Sequence, residues 1–537
     1  MGRFSFLNKD ILFERKDDQK LWLKYCGFLD LSIDEFMTIQ NTLLNDEIEL
    51  LQKSVLGKKI IGSRKFGSLD DFRKNVSFTS YHNYQPSFEE KDETVLPAKP
   101  ILWARTSGYS GINKWIPYTQ ECIRILADNT LSAFILSSAN SHGEVKLRPG
   151  ARVVLNVPPV PYTTGIMGYA AEERFLYRPI PPLDKAEQME FQESIEQGFH
   201  LALRSGIDYA ASLVDVLNRI SRNFGTLGNE STLSLKTLHP VAALRIIQAK
   251  IRARMANRPI VPKDIWQIKG LVCGGTDTAI YQDEITSSWG IKPLEVYVAT
   301  ETCFIAMQNW NKRGMTLVPY SNFYEFIPEE EFLKNQRDGN YRPATVLTDE
   351  LEVDKIYEIV ITNFHGGALT RYRIGDLIKV ISIGDEETGS TLPQIIFQSR
   401  VDDIIDINDM VHLNEKEIWK AIHNTSLPYE DWIVCKESGE PNPVLHVYLE
   451  LTGNHHDNKT VVSLIIDQLI NLREEYQNFR EMTGFIPIKV TLFNRGTFQE
   501  YRAIKQSEGF EFAQLKPHHV SPSDTVLNEL LEISASL

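Results

Sequence analysis

Between Ile101 and about Gln398, short β-branched runs alternate with segments of helical apolar period, which restricts this part of the chain to the α/β class. Ala151-Arg152-Val153-Val154-Leu155 and Tyr357-Glu358-Ile359-Val360-Ile361 have the make-up of strands. Ile207 to Phe224 and Pro240 to Met255 space their apolar residues at three and four, as helices do. Upstream the pattern is mostly helical, as in Glu35 to Leu51. It then turns loop-like from Tyr81 to Pro100, where Pro86, Pro97 and Pro100 interrupt regular structure. In such a core, ligands gather at strand ends and loops.

Two apolar runs, Leu377 to Ile381 and Gln394 to Phe397, flank Gly384-Asp385-Glu386-Glu387-Thr388-Gly389 and predict a hairpin with a solvated acidic tip. Beyond Arg400 the order changes to a strand at Val444–Leu451, a helix at Thr460–Phe479, a strand at Ile486–Phe493 and a helix at Phe498–Glu508. A chain of 537 residues exceeds what one core normally supports. The expected organisation is a large N-terminal α/β domain over residues 1–399, with β-sheets and flanking helices, and a small α+β domain over 400–537.

A net charge of −14 argues against a nucleic-acid partner, because phosphate neutralisation needs clustered Lys and Arg. The five cysteines, Cys26, Cys122, Cys273, Cys303 and Cys435, contain no Cys-x-x-Cys pair and predict free thiols in a reducing compartment. Met1 to Lys9 lacks the apolar stretch of a signal peptide, Phe6 stands where a myristoylation pattern needs Ser or Thr, and no run would span a membrane. The expectation is a cytoplasmic protein with no membrane partner.

The most informative segment is Arg105-Thr106-Ser107-Gly108-Tyr109-Ser110-Gly111-Ile112-Asn113-Lys114-Trp115-Ile116-Pro117. Small hydroxyl and glycine residues let backbone N–H groups approach phosphate oxygens, and a nearby lysine neutralises their charge. The segment lacks the Gly-Lys-Ser/Thr ending of a Walker loop and the second glycine of a nucleophile elbow. From these residues alone it reads either as a phosphate cradle or as a plain turn.

Four motifs together carry a resemblance. Thr106 to Pro117 is similar to Thr/Ser-Ser-Gly-Thr-Thr/Ser-Gly/Ala-x-x-Lys-x-Ile-Pro, with Tyr109 in a threonine slot. Tyr297-Val298-Ala299-Thr300-Glu301 fits Tyr-x-Ala/Ser-Ser/Thr-Glu, and Tyr372-Arg373-Ile374-Gly375-Asp376 fits Tyr-Arg-Ile/Val-Gly-Asp. Gly496-Thr497-Phe498 and Ala513-Gln514-Leu515-Lys516-Pro517 follow, with His518 where an arginine is usual. In this order they resemble the auxin-responsive (Gretchen Hagen) acyl acid amido synthetase family of the adenylate-forming superfamily, from about residue 100 to about residue 520.

The resemblance implies an ATP- and Mg²⁺-dependent ligase. It would activate a carboxylic acid as acyl-AMP, release pyrophosphate and pass the acyl group to an amine such as an amino acid. Thr106, Ser107, Gly108, Ser110 and Lys114 would hold the β- and γ-phosphates. Glu301 would hold Mg²⁺, a hard cation that takes carboxylate, water and phosphate oxygens, unless it is a surface or N-cap acid. Tyr297 would stack on adenine or lie in the core, and Thr300 would touch the α-phosphate. Gly275 and Thr276, after the apolar run ending at Cys273, would form an adenine-side loop or a simple turn. Asp376 would accept from the ribose hydroxyls or form a salt bridge with Arg371 or Arg373. Arg400 would be the hinge arginine, with Asp402 or Asp403 as pivot, and Lys516 the lysine brought to the α-phosphate as the small domain rotates. The acyl pocket would be lined by the helix after Pro117 and by Val157 to Tyr169, with Gly165 and Gly168.

His455-His456 and His518-His519 lack a third ligand at metal-site spacing and read as surface or loop histidines. Glu329-Glu330-Glu331 reads as a solvated face, and the apolar stripe of Val461 to Phe479 as packing for the small domain's sheet. Two other functions stay open: transfer of the acyl group to coenzyme A or a carrier-protein thiol, and a degenerate nucleotide-binding protein without catalysis.

Overall fold

The computed structural model describes residues 3–106, 114–189, 191–227, 239–275, 278–401, 405–407, 411–437, 444–453, 457–472, 488–508 and 515–537. The chain falls into two compact units. One holds the residues up to Thr106, Lys114–Ile374 and Ile378–Phe397; the other holds Gly375–Leu377 and Gln398–Leu537.

In the first unit β1 (Leu102–Arg105) and β2 (Trp115–Tyr118) form an antiparallel ribbon. The strands β3 (Arg152–Asn156), β4 (Arg178–Ile180), β5 (Tyr209–Leu213), β6 (Gly270–Gly274) and β7 (Leu294–Tyr297) pair in parallel in the order β4-β3-β5-β6-β7. The apolar runs of β3, β5, β6 and β7 are the signature of strands buried on both faces. The sheet then turns antiparallel through β8 (Ala306–Gln308) and β9 (Met315–Leu317). It ends in β10 (Asn322–Pro328), β11 (Ile356–Asn363), β12 (Tyr372–Asp385) and β13 (Ser390–Arg400), with β13 next to β9 and β10 at the edge. The expected hairpin is thus β12 and β13. The helix Gln120–Ser138, capped by the Thr119 side chain on Cys122 N–H, lies buried against β6.

One helix expectation changes in the structure. Ile207 to Phe224 is not one helix: Tyr209–Leu213 is a strand, and the helix starts only at Val214. A short apolar run fits a buried parallel strand as well as a helix, and its neighbours decide. Pro240–Met255 is a helix, with Pro240 in its first turn. Its buried row, however, is Ala242, Ile246, Ala249 and Ala253, whereas Val241, Leu244, Ile247, Ile251 and Met255 face solvent.

The helix Ile33–Lys53 starts at a capping box between Ser32 and Glu35 and buries Phe36, Leu44, Ile48 and Leu51. Glu47 lies in the same row and is 1% exposed. Its Oε2 accepts from Gly366 N–H at 2.7 Å, and Oε1 is buried without a hydrogen-bond partner among the described residues. Burial pushes this carboxyl up to about 8 against the opposing pull of the Gly366 N–H. An acid kept protonated by the fold contributes stability that is fully present below its unfolded value and is lost as pH rises through the folded one. Between about pH 5 and 8 the urea midpoint of the wild type is therefore expected to fall relative to that of Glu47→Gln. Midpoints running parallel over that range would refute this.

In the second unit β14 (Ile405–Ile407) and β15 (Val411–Leu413) make a small ribbon. A three-stranded sheet orders β16 (Tyr429–Glu437), β17 (Val444–Leu451) and β18 (Ile488–Phe493), the first pair antiparallel and the second parallel. Alternation places Trp432 and Val434 on one face, against Ile418 and Ile422 of Glu415–Asn424 and Val461, Ile465 and Leu469 of Asn458–Leu472. Ile433 faces the opposite way, with Tyr448, against Phe498 and Tyr501 of Thr497–Ser507 and Leu530 of Asp524–Ser536. The expected helix Thr460–Phe479 is described as far as Leu472, and its apolar stripe packs on this sheet. His455, His456, Asp402 and Asp403 lie outside the described residues.

Candidate active site

The β1–β2 ladder sets Arg105 opposite Trp115. It continues with Thr106 N–H donating to Lys114 O at 3.0 Å and Lys114 N–H donating to Thr106 Oγ1 at 2.9 Å. Ser107, Gly108, Tyr109 and Ser110, between these stems, lie outside the described residues, as does Thr276. From its stem Lys114 directs Nζ to Glu301 Oε1 at 3.3 Å and to Tyr372 Oη at 3.4 Å. The same ammonium lies 5.7 Å from the centre of the Tyr81 ring, whose Oη accepts from Trp115 N–H at 3.1 Å. Burial, reinforced by the Glu301 charge, holds the Tyr372 phenol well above its ordinary value, so it stays neutral. Three of the motifs thus meet on one ammonium.

Glu301 sits in a turn after β7 that polar side chains hold in place. Asn363 Nδ2 donates to Glu301 O at 2.9 Å and to Asn322 Oδ1 at 2.9 Å. Asn322 Nδ2 donates in turn to Thr302 O at 2.9 Å and Phe304 O at 3.2 Å. On the other side Tyr118 Oη donates to Thr300 O at 2.8 Å and lies 2.9 Å from Thr163 Oγ1, which is 3.2 Å from Thr300 Oγ1. None of Tyr118, Asn322 and Asn363 was among the residues read from the sequence, whereas Thr163 falls within Val157 to Tyr169. Of those three only Tyr118 had a signal, its place directly after Pro117 in the first motif.

Tyr297, at the end of β7, has a buried ring 5.8 Å from that of Phe397. Gly275 has φ +136°, a conformation that favours glycine, and a Cβ there would sit tightly, 3.0 Å from Val214 Cγ1. Arg371 and Arg373, the alternative partners of Asp376, pair with Glu325 and Glu358. In the second unit Asp376 is buried, and Arg400 Nε lies 3.7 Å from its Oδ1. Lys516, also there, is half-buried.

No group of three or more His, Cys, Asp or Glu side chains suited to a metal occurs among the described residues. A lone carboxylate such as Glu301 is of the kind that shares Mg²⁺ with phosphate oxygens and water. A cation, the Lys114 ammonium, lies beside its Oε1 at 3.3 Å. Beside Glu301 lies a cleft lined by Pro117, Tyr118, Cys122, Cys303 and His365. It takes in the segment after Pro117 expected to line an acyl pocket, but no residue of Val157 to Tyr169. A Cβ on Gly165 would lie 2.3 Å from Pro159 C, so that glycine serves close helix packing. All five cysteines are free, and Cys122 Sγ lies 2.7 Å from Cys303 Sγ. The bond to Cys303 and burial together push the Cys122 thiol up.

The structure sharpens one histidine and one acid reading. His519 lies in a loop, as one of the two readings had it, but is buried there, and its ring bonds two carboxylates. Glu331 is tied to Lys334, Tyr341 and Ala344 N–H, so the acidic run is only partly a solvated face.

The GH3 family N-terminal domain matches residues 27–155, and the GH3 family central domain matches residues 315–400. Jasmonoyl–L-amino acid synthetase GH3.5 of Oryza sativa subsp. japonica is 24% identical over 52% of this chain and 45% of its own length. Indole-3-acetic acid-amido synthetase GH3.3 of Arabidopsis thaliana is 26% identical over 62% of this chain and 60% of its own. The chain spans about half the length of the curated relatives it matches. The structure of AtGH3.15 acyl acid amido synthetase in complex with 2,4-DB superposes with a TM-score of 0.68 at 16% identity, covering 96% of both chains. That of a 2-hydroxyisobutyryl-CoA ligase in the postadenylation state does so at 0.55 and 14%, covering 97% of this chain and 93% of the other. At such identities these likenesses establish the fold. On that fold the GH3 family N-terminal and central domains each match a segment of this chain, which resembles the GH3 family over those residues.

Proposed function

We propose that the chain is an ATP- and Mg²⁺-dependent acyl acid amido synthetase. The observation that carries this reading is the convergence of Glu301 and Tyr372 on Lys114, at the stem of the phosphate loop. When Mg²⁺–ATP binds, the metal would supply charge neutralisation of the phosphates. Glu301 is the carboxylate to hold it, and Lys114, released from Oε1, turns its ammonium to the β- and γ-phosphates together with Thr106, Ser107, Gly108 and Ser110. Tyr297, Gly275 and Thr276 are the adenine side, and Thr300 is set to meet the α-phosphate. Asp376 and Arg400 take the ribose, and Lys516 reaches the α-phosphate as residues 400–537 turn about a hinge near Arg400. An oxygen of the acid's carboxylate attacks the α-phosphorus, the bond to the bridging oxygen breaks, and pyrophosphate leaves. An amine then attacks the acyl carbon, loses a proton and expels AMP. Both steps build charge on oxygen, which fixed cations and hydrogen-bond donors stabilise. Free thiols support a cytoplasmic setting.

ATP–pyrophosphate exchange with indole-3-acetate, jasmonate and 2,4-DB, the acids in the relatives' names, tests the reading. Exchange that requires both acid and Mg²⁺, and drops at least about a hundredfold in Glu301→Ala, is the expected result. ATP binding without exchange for any acid would favour the non-catalytic reading, and a thioester as the main product with coenzyme A would favour thiol transfer.

A further inference from the structure

Lys516 lies on a segment with little regular structure of its own. His519 ties that segment to the small domain through both its backbone and its ring. Its carbonyl accepts from Val434 N–H at 2.6 Å, and Ser521 N–H donates to Val434 O at 2.8 Å, so Val520 forms a single parallel bridge to β16. The imidazole stacks on Trp432, with ring centres 4.3 Å apart and planes 24° from parallel. Its two nitrogens reach different elements: Nδ1 is 2.6 Å from Glu415 Oε1 in the Glu415–Asn424 helix, and Nε2 is 2.8 Å from Asp431 Oδ1 on β16. Donating to a carboxylate from both nitrogens requires the imidazolium form.

We infer that His519 is a positioning residue for Lys516: bridging Glu415 and Asp431, its imidazolium fixes the segment from which the lysine reaches the α-phosphate. This rests on the proposed adenylating function. Three extended residues span at most about 10 Å, so a shift at His519 is passed on to Lys516 with little slack. The charges facing the ring are Glu415 and Asp431, with Lys516 close enough to act on both carboxylates, Arg502 3.5 Å from Asp431 Oδ2, and His518 close enough to act on Glu415. Burial and Lys516 oppose the charged ring, but the two carboxylates prevail and hold it at about 9. An isolated buried histidine would move the other way.

The test uses full-length wild type, His519→Gln and Asp431→Asn. Exchange with the panel acid giving the largest rate is expected to fall about tenfold to a hundredfold in kcat for His519→Gln, with the KM for ATP within about twofold. Acetylation of Lys516 by acetic anhydride, followed by mass spectrometry, is expected to change rate by at least about threefold in the same variant. The His519 ring resonances should titrate near 9 in the wild type and lower in Asp431→Asn. Unchanged Lys516 acetylation in His519→Gln overturns the inference, whatever happens to exchange. If no acid supports exchange in the wild type, the proposed function fails, and Lys516 acetylation still decides the positioning role.

Discussion

Arg371→Met is expected to cost the first unit about 3–5 kcal/mol, the range found when one partner of a buried ion pair is removed. Arg371 and Glu325 are each 1% exposed. The guanidinium grips the carboxylate with two bonds, Nε to Oε2 at 2.9 Å and Nη2 to Oε1 at 2.8 Å. Its Nη1 donates to the carbonyls of Arg73 and Val76, tying the start of β12 to the N-terminal helices. After the substitution Glu325 would keep the Thr345 hydroxyl at 2.8 Å and Arg73 Nε at 3.6 Å, and the two carbonyls would keep Arg342 Nη2 at 3.0 and 2.7 Å. Arg371→Met combined with Glu325→Leu removes both charges and should recover much of the loss. Urea midpoints of both variants check this. A single variant within about 1 kcal/mol of wild type, or a double variant no better than the single, would refute it.

Lys114→Met is expected to lower ATP–pyrophosphate exchange by about a hundredfold to a thousandfold, equivalent to about 3–4 kcal/mol of transition-state stabilisation. The substitution keeps the length of the stem but leaves Glu301 and Tyr372 without the ammonium they share. Lys114→Arg should retain more activity, because it keeps the charge, yet its planar fork does not reproduce a point charge set between a carboxylate and a phenol. Exchange by Lys114→Met within about threefold of wild type would remove Lys114 from the proposed machinery.

Much of the architecture could be read from local pattern. The β12–β13 hairpin, β3, β11 and, in the second unit, β17 and β18 follow runs whose length and flanking turns leave little choice, whereas β16 was not among the strands read. The orientation of Pro240–Met255 could not be read in this way. Its periodicity marks a helix with two apolar rows, and the smaller row, built mainly on alanine, is the one that packs. At the candidate site Thr106, Lys114, Thr300 and Glu301 come from contiguous motifs. Asn322 and Asn363 reach Glu301's turn from strands distant in sequence, with no period to betray them. The burial of His519 is not legible for a related reason: its partners, Glu415 and Asp431, are far upstream, and adjacent histidines in a loop look solvated.

The turn that presents Glu301 is held by two side-chain amides, which gives the protein a way to age without unfolding. Both hydrogens of the Asn363 amide point at oxygen atoms, so deamidation there would set a carboxylate against two acceptors. Asparagine is among the residues most prone to such loss on heating. A copy deamidated at Asn363 would present Glu301 from a loosened turn while the hydrophobic core around it stays packed.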